Sequence, residues 1–317
     1  MHGAGGAEGT DMMDALKKQM CEYFVGKESV AENVLICLLA GGHLLLEDVP
    51  GVGKTTLARI LAKSMECDFG RIQFTPDTLP GDVVGTSVYN AKTGEFTYRE
   101  GAVMHQILLA DEINRTSPKT QASLLEAMAE GHVTVDGKTY QLPQPFMVIA
   151  TQNPVEFLGT YPLPEAQMDR FMMRLSVGYP EASEEFRLAR NFLSGKTVEG
   201  VTGVCKAEDI LKMRESVEKV TLSDGVVRYV QDIVRLTREE KSFVLGASPR
   251  AMLALLRASQ AKAYLSGRDF VKPDDVKAVA VIVLHHRLTL TPEAKIRKEE
   301  VDRLLKELIL TAKVPRE

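Results

Sequence analysis

From residue 11 to about residue 179, short apolar runs alternate with stretches whose apolar residues recur at helical spacing. Residues 11–40 carry the helical spacing, broken at Phe24-Val25-Gly26-Lys27. The runs at 43–46, 71–74, 103–110, 146–151 and 174–177 are short and β-rich, and each predicts a strand. Strands of this kind, separated by helical segments, point to a mainly parallel sheet covered on both faces. Ligands in that architecture bind at the carboxyl ends of the strands.

Two segments interrupt the alternation. Residues 87–99 and 132–140 each swing between apolar and polar positions around a turn, Lys92-Thr93-Gly94 and Asp136-Gly137. They predict β-hairpins projecting from the sheet, placed to reach a partner or a central channel. Beyond Pro180 the strand signal stops and helical spacing runs to Thr311. Ser223, Ser248 and the Pro273-Asp274-Asp275 triplet mark helix starts. The chain therefore divides into a small, glycine-rich tail at 1–10 that is expected to be mobile, an α/β core at 11–180 and a helical domain at 181–317.

With 317 residues and 44% hydrophobic content, the chain can bury a large core, which excludes disordered and fibrous classes. No apolar run is long enough to cross a bilayer and the start lacks a signal-peptide pattern, so a soluble cytoplasmic protein is expected. The four cysteines, at 21, 37, 67 and 205, lack metal-ligand or redox spacing and read as reduced thiols. A net charge of −4 and a pI near 6.0 give no general electrostatic reason to bind nucleic acid.

The chemistry begins at 43–57, HLLLEDVPGVGKTTL, an apolar strand running through a glycine turn into a helix. Such a turn aims backbone N–H groups at phosphate oxygens, and the helix N-terminus adds partial positive charge. Pro50, Gly51, Val52, Gly53, Lys54, Thr55 and Thr56 form this loop, with Lys54 reaching the outer phosphates and the Thr55 hydroxyl available to Mg²⁺. The eight-residue phosphate-loop pattern starts with glycine, whereas Asp48 stands here. Asp is a residue type that tolerates unusual backbone angles.

A second apolar run ends in Asp111-Glu112. Asp111 is suited to hold Mg²⁺ and Glu112 to polarise a water for attack on a γ-phosphate. A third run leads into Gln152-Asn153-Pro154, placing the Asn153 amide where it would orient that water or contact the γ-phosphate. The sequence lacks an Asn-Lys-x-Asp guanine-reading motif, which favours ATP over GTP.

Together with their surroundings, these features resemble the AAA+ ATPases and most closely their MoxR branch. The matching segments, in the family's order, are Val25-Gly26 in an adenine-side box, the phosphate loop, ILLADEINR from Ile107, ATQNPVE from Ala150, PLPEAQMDRF from Pro162 and GASPRA from Gly246. The resemblance implies a P-loop α/β core with inserted β-hairpins, followed by an all-α lid. Asn153 matches the sensor-one position and Arg250 the sensor-two position. Arg170 matches an arginine finger supplied to the adjacent subunit, with Arg174, one helical turn on, as the alternative. Arg250 also has a local argument. If Ser248 caps a helix and Pro249 is its first residue, Arg250 falls in the first turn, where the helix dipole disfavours a cation unless an anion lies nearby.

What the resemblance implies is an ATP hydrolase using Mg²⁺ and assembled as a homo-oligomeric ring, hexameric in the family. It would couple ATP cycles to chaperone-type remodelling or maturation of protein complexes, with a von Willebrand factor A domain adaptor as the first partner to seek. ATP binding is expected to close the lid through Arg250. The alternative is a nucleic-acid motor or remodeller, which the low net charge and the lack of a helix-turn-helix or zinc module disfavour. His285 and His286, in an apolar helical segment, are expected to be structural.

Overall fold

A computed structural model describes residues 4–24, 28–153 and 159–315. In chain order, the α/β part comprises α1 (Ala4–Tyr23), α2 (Glu28–Leu39), β1 (Leu44–Glu47), α3 (Lys54–Ser64), β2 (Phe69–Gln73), α4 (Pro80–Val84), β3 (Thr86–Asn90), β4 (Glu95–Arg99), β5 (Ile107–Asp111), α5 (Pro118–Glu130), β6 (His132–Val135), β7 (Lys138–Gln141), β8 (Met147–Gln152), α6 (Glu165–Met168) and β9 (Met173–Leu175). The helical part comprises α7 (Ala182–Leu193), α8 (Ala207–Glu218), α9 (Asp224–Glu239), β10 (Phe243–Leu245), α10 (Pro249–Leu265), α11 (Pro273–Leu284), β11 (Thr289–Leu290), α12 (Pro292–Ile296) and α13 (Val301–Thr311).

Five parallel strands form the central sheet in the order β2-β5-β8-β1-β9. The near-continuous apolar character of β1, β5 and β8 has the expected cause, because successive residues feed two different cores. Leu44, Leu46, Ile107, Leu109, Met147 and Ile149 face one hydrophobic cluster. Leu45, Leu108, Ala110, Val148 and Ala150 face the other. Each of these side chains is fully buried, so a polar residue at any of them would lose its solvation on either face.

The strand expected at 103–110 starts only at Ile107. Val103 is fully buried, but its N–H donates to Val83 O at 3.0 Å, so it packs beneath α4 instead of pairing in the sheet. Apolar content alone cannot separate those two kinds of burial. Both hairpins form, β3 with β4 and β6 with β7. The rings of Tyr98 and Tyr140 stack with centroids 4.0 Å apart, which ties the two hairpins to each other.

Of the tail expected at 1–10, residues 1–3 lie outside the described residues, while residues 4–10 form the first turns of α1. Glycine disfavours helix intrinsically, but tertiary packing overrides that preference here. A Cβ on Gly9 would come within 2.1 Å of the Tyr264 hydroxyl and 3.3 Å of Met213, so a side-chain-free position lets α1 lie close against α8 and α10. Among the described residues the lid is helical apart from a short antiparallel ribbon, β10 with β11, and an isolated bridge between Thr221 and Phe270. One hydrophobic cluster runs from Met13, Leu16 and Met20 of α1 through the sheet to Tyr229 and Leu255 of the lid. Core and lid thus share an interior.

Buried histidines make this interior acid-sensitive. His43 accepts from Val148 N–H at 3.0 Å through Nδ1 and lies 3.1 Å from Met128 O through Nε2, a pairing that requires the neutral Nε2–H form. Burial pushes its pKa down to about 4. His286, whose Nε2 lies 2.9 Å from Phe171 O, is pushed well down for the same reason. A histidine held below its unfolded pKa contributes stability above that unfolded value and loses it as pH falls toward the folded one. For His43 the window is roughly pH 6.5 to 4, with about 3 kcal/mol lost at the lower end. Urea unfolding should therefore show a marked decline in stability across that interval, and a flat profile would exclude a neutral buried His43.

Candidate nucleotide site

The strand-to-helix turn after β1 forms a cradle. Gly51 and Gly53 both have φ of +86°, a left-handed conformation that only glycine adopts at little cost. A Cβ on Gly53 would also stand 3.2 Å from the ring of buried Phe24. The residue preceding α3 is Gly53, which offers no side-chain cap, so the first-turn N–H groups remain available to an anion. Lys54 Nζ donates to Asp48 O at 2.8 Å and to Val49 O at 3.2 Å. Burial lowers the Lys54 pKa, while Asp48, Asp111 and Glu112 act in the opposite direction.

A cavity of about 400 Å³ opens at the carboxyl ends of the strands. Lining it are Pro50, Gly51, Gly53, Lys54, Thr55 and Thr56 from the loop, Asp111 and Glu112 from the end of β5, and Asn153 from the end of β8. Val52 instead packs partly buried against the large hydrophobic cluster. The Thr55 hydroxyl and the Asp111 carboxylate are the hard oxygen donors that suit Mg²⁺. Val25 and Gly26 lie outside the described residues, as does the 154–158 stretch.

The acids are held by residues that sequence reasoning missed. Thr151 Oγ1 donates to Asp111 Oδ1 at 2.6 Å and accepts from Glu112 N–H at 2.9 Å. Arg71 pairs with Asp111 Oδ2 at 2.7 Å, and the Gln73 amide donates to Glu112 Oε2 at 2.9 Å. Arg115 lies 3.3 Å from the same Glu112 oxygen. Glu112 itself has φ of +57°, which turns its carboxylate away from the strand direction. A signal existed for Arg71 and Gln73: two polar residues at alternate positions near the carboxyl end of an otherwise covered strand share one face.

Arg170 and Arg250 line a different cavity, of about 330 Å³, together with Asp169, Arg257 and Arg287. Ser248 caps α10, its Oγ accepting from Ala251 N–H at 3.0 Å and donating to Asp169 Oδ2 at 3.0 Å. Arg287 pairs with Asp169 at 2.9 Å. This clasp docks the start of α10 beside the segment after α6 and brings Arg250 next to Arg170. Arg250 does fall in the first turn behind Ser248 and Pro249, but the structure does not bring it to this chain's own phosphate loop. Arg174 stands apart from both. It pairs with Glu47 at 2.9 Å and contacts His285 of the lid, which ties it inside the chain.

The Asp48 backbone is also unlike the expectation, for its φ is not among the positive ones. Its side chain explains its presence. The carboxylate is buried and accepts from Ser176 Oγ at 2.8 Å, Val177 N–H at 2.6 Å and Gly178 N–H at 3.0 Å.

A parallel sheet with a glycine phosphate cradle, an acidic pair on the adjoining strand and a helical lid define the AAA+ class of P-loop ATPases. Residues 43–173 match the ATPase family associated with various cellular activities (AAA), and residues 235–308 match the AAA lid domain. The chain is 40% identical to Chaperone MoxR1 of Mycobacterium tuberculosis, over 98% of this chain and 85% of that one. It is 53% identical to YeaC of Bacillus subtilis, an uncharacterized protein, over 92% and 91% of the two chains. A crystal structure of a Cytophaga hutchinsonii protein superposes with a TM-score of 0.92 at 37% identity, covering 98% of this chain and 97% of that one. The chain belongs to the MoxR family of AAA+ ATPases.

Proposed function

We propose that this protein hydrolyses ATP and uses the cycle for chaperone-type remodelling of protein complexes. The observation that carries the reading is the convergence of Lys54, Thr55, Asp111, Glu112 and Asn153 on one cavity from three separate strand ends. The loop N–H groups and Lys54 bind the phosphates. Thr55 and Asp111 would hold Mg²⁺, which supplies charge neutralisation at the phosphoryl oxygens when bound. Glu112, released from Gln73 and Arg115, takes the proton of the attacking water, and Asn153 orients it.

Arg170 and Arg250 complete a neighbour's site in this reading. Both lie in a cavity separate from the phosphate loop, and a first-turn arginine at α10 acquires its anion when the γ-phosphate of an adjacent subunit enters that cavity. This replaces lid closure through Arg250 on the chain's own nucleotide. It also favours Arg170 over Arg174 as the finger. A ring, hexameric by family resemblance, would bury the exposed apolar side chains of α7 and its approach, where Tyr179, Phe186, Phe192 and Leu193 are each 70% exposed or more.

The protein-directed reading is supported by the relative named Chaperone MoxR1, and the family resemblance makes a von Willebrand factor A domain adaptor the first partner to seek. No helix among the described residues is long and apolar enough to cross a membrane. Phosphate release should rise on adding an unfolded protein client or such an adaptor. Stimulation by duplex DNA instead, falling steeply as salt increases, would replace this proposal with the nucleic-acid alternative.

A further inference from the structure

The two residues that end β1 and open the phosphate loop bond outward in a way that no phosphate chemistry requires. Glu47 accepts from the Gln152 amide at 2.8 Å and pairs with Arg174 at 2.9 Å, so it joins β8 to β9. Arg174 continues to His285 after α11, and His285 to Asp302 on α13. Asp48 then engages three consecutive residues, 176–178, of the connector that leaves β9 for α7. Its carboxylate satisfies two connector N–H groups that would otherwise lack sheet partners, while its own carbonyl receives Lys54 Nζ. A glycine at this position, as the phosphate-loop pattern asks, would keep the carbonyl and lose all three connector bonds.

We propose that Asp48 is a positioning residue that clasps the phosphate loop to the connector between core and lid, so that nucleotide in the loop is felt at residues 176–178. Charge-assisted bonds from a buried carboxylate to backbone N–H groups are among the stronger polar contacts in proteins, and here they link segments 128 to 130 positions apart in sequence. Phosphates draw Lys54 away from the Asp48 carbonyl, and the connector receives that change through the same residue's side chain. The kinetic consequence rests on the ATPase reading above; the coupling itself does not.

The test compares the full chain with Asp48→Gly, which restores the loop pattern, and Asp48→Asn, whose carbonyl can still serve Ser176 and Gly178 but not Val177 as well. Hydrogen exchange at Val177 and Gly178 is measured with and without ATP, alongside nucleotide affinity and the rate of phosphate release. In the parent, ATP should change exchange at these two amides. In Asp48→Gly their exchange without nucleotide should quicken about tenfold or more and lose its response to ATP. kcat should fall about tenfold with KM held within about threefold, because Gly51, Gly53 and Lys54 remain to bind phosphates while the geometry loosens. Asp48→Asn should lie between the two, and it carries the test if the glycine variant does not fold. Parental exchange and parental kcat in a folded Asp48→Gly protein would overturn the clasp and leave Asp48 a mere substitute for glycine. A parent that binds ATP without hydrolysing it, yet shows the exchange effects, would instead defeat the ATPase reading and leave the clasp standing.

Discussion

Equimolar mixing of Lys54→Ala and Arg170→Ala subunits is expected to restore ATP hydrolysis that neither variant shows alone. Lys54→Ala removes the phosphate-binding amine but leaves Arg170 intact; Arg170→Ala does the reverse. If Arg170 serves a neighbour, an intact loop regains activity wherever the adjoining subunit carries the Lys54 substitution. Random mixing in a ring makes about a quarter of all sites competent, against a loss of about three orders of magnitude in the Arg170→Ala protein by itself. The structural basis is the separation of Arg170 and Lys54 into different cavities of one chain. Arg174 offers the contrast. Because it is bound to Glu47 and His285 within the chain, Arg174→Ala should behave identically alone and in mixtures. Absence of recovery in co-assembled Arg170→Ala and Lys54→Ala protein would end the shared-site mechanism.

Replacing Glu112 by Gln should remove a catalytic step and little else. The Gln side chain is isosteric and its carbonyl still accepts the bond now donated by Gln73 at 2.9 Å, so the loop, the strand and the left-handed backbone at 112 are retained. What disappears is the capacity to take a proton, which is worth about 10²- to 10⁴-fold in rate for a positioned base. Single-turnover phosphate release should fall by that amount while nucleotide affinity stays within about threefold, the pattern of an interaction made only in the transition state. A Glu112→Gln protein with a near-parental rate would transfer the base to another residue.

Much of this was legible along the chain because the causes are local. A strand buried on both faces needs an unbroken apolar run, as in β1, β5 and β8, and these with the two shorter mixed runs at β2 and β9 marked the sheet to within a few residues of its edges. The proposed phosphate cradle was legible for the same reason: left-handed Gly51 and Gly53 and the side chains of Lys54 and Thr55 lie within one turn of one another. The helix over residues 4–10 was not legible because Met213 and Tyr264, which pack against it at Gly9, lie far along the sequence. Gln73, Arg71 and Thr151 went unnoticed because their role is to hold acids that another strand supplies.

The sequence by itself determined the class of the sheet, the phosphate loop, the acidic pair and the order of core before lid. Each is set by spacing among neighbouring residues, where chain connectivity does the positioning. Only the tertiary structure decided that Arg250 sits with Arg170 away from the phosphate loop, that Arg174 is sequestered against Glu47, and that Asp48 is present for its carboxylate. Those outcomes depend on which of many possible partners a charged side chain meets. That choice is made by how α10, β9 and the 176–178 connector pack, because a buried charge persists only where the fold brings partners to it.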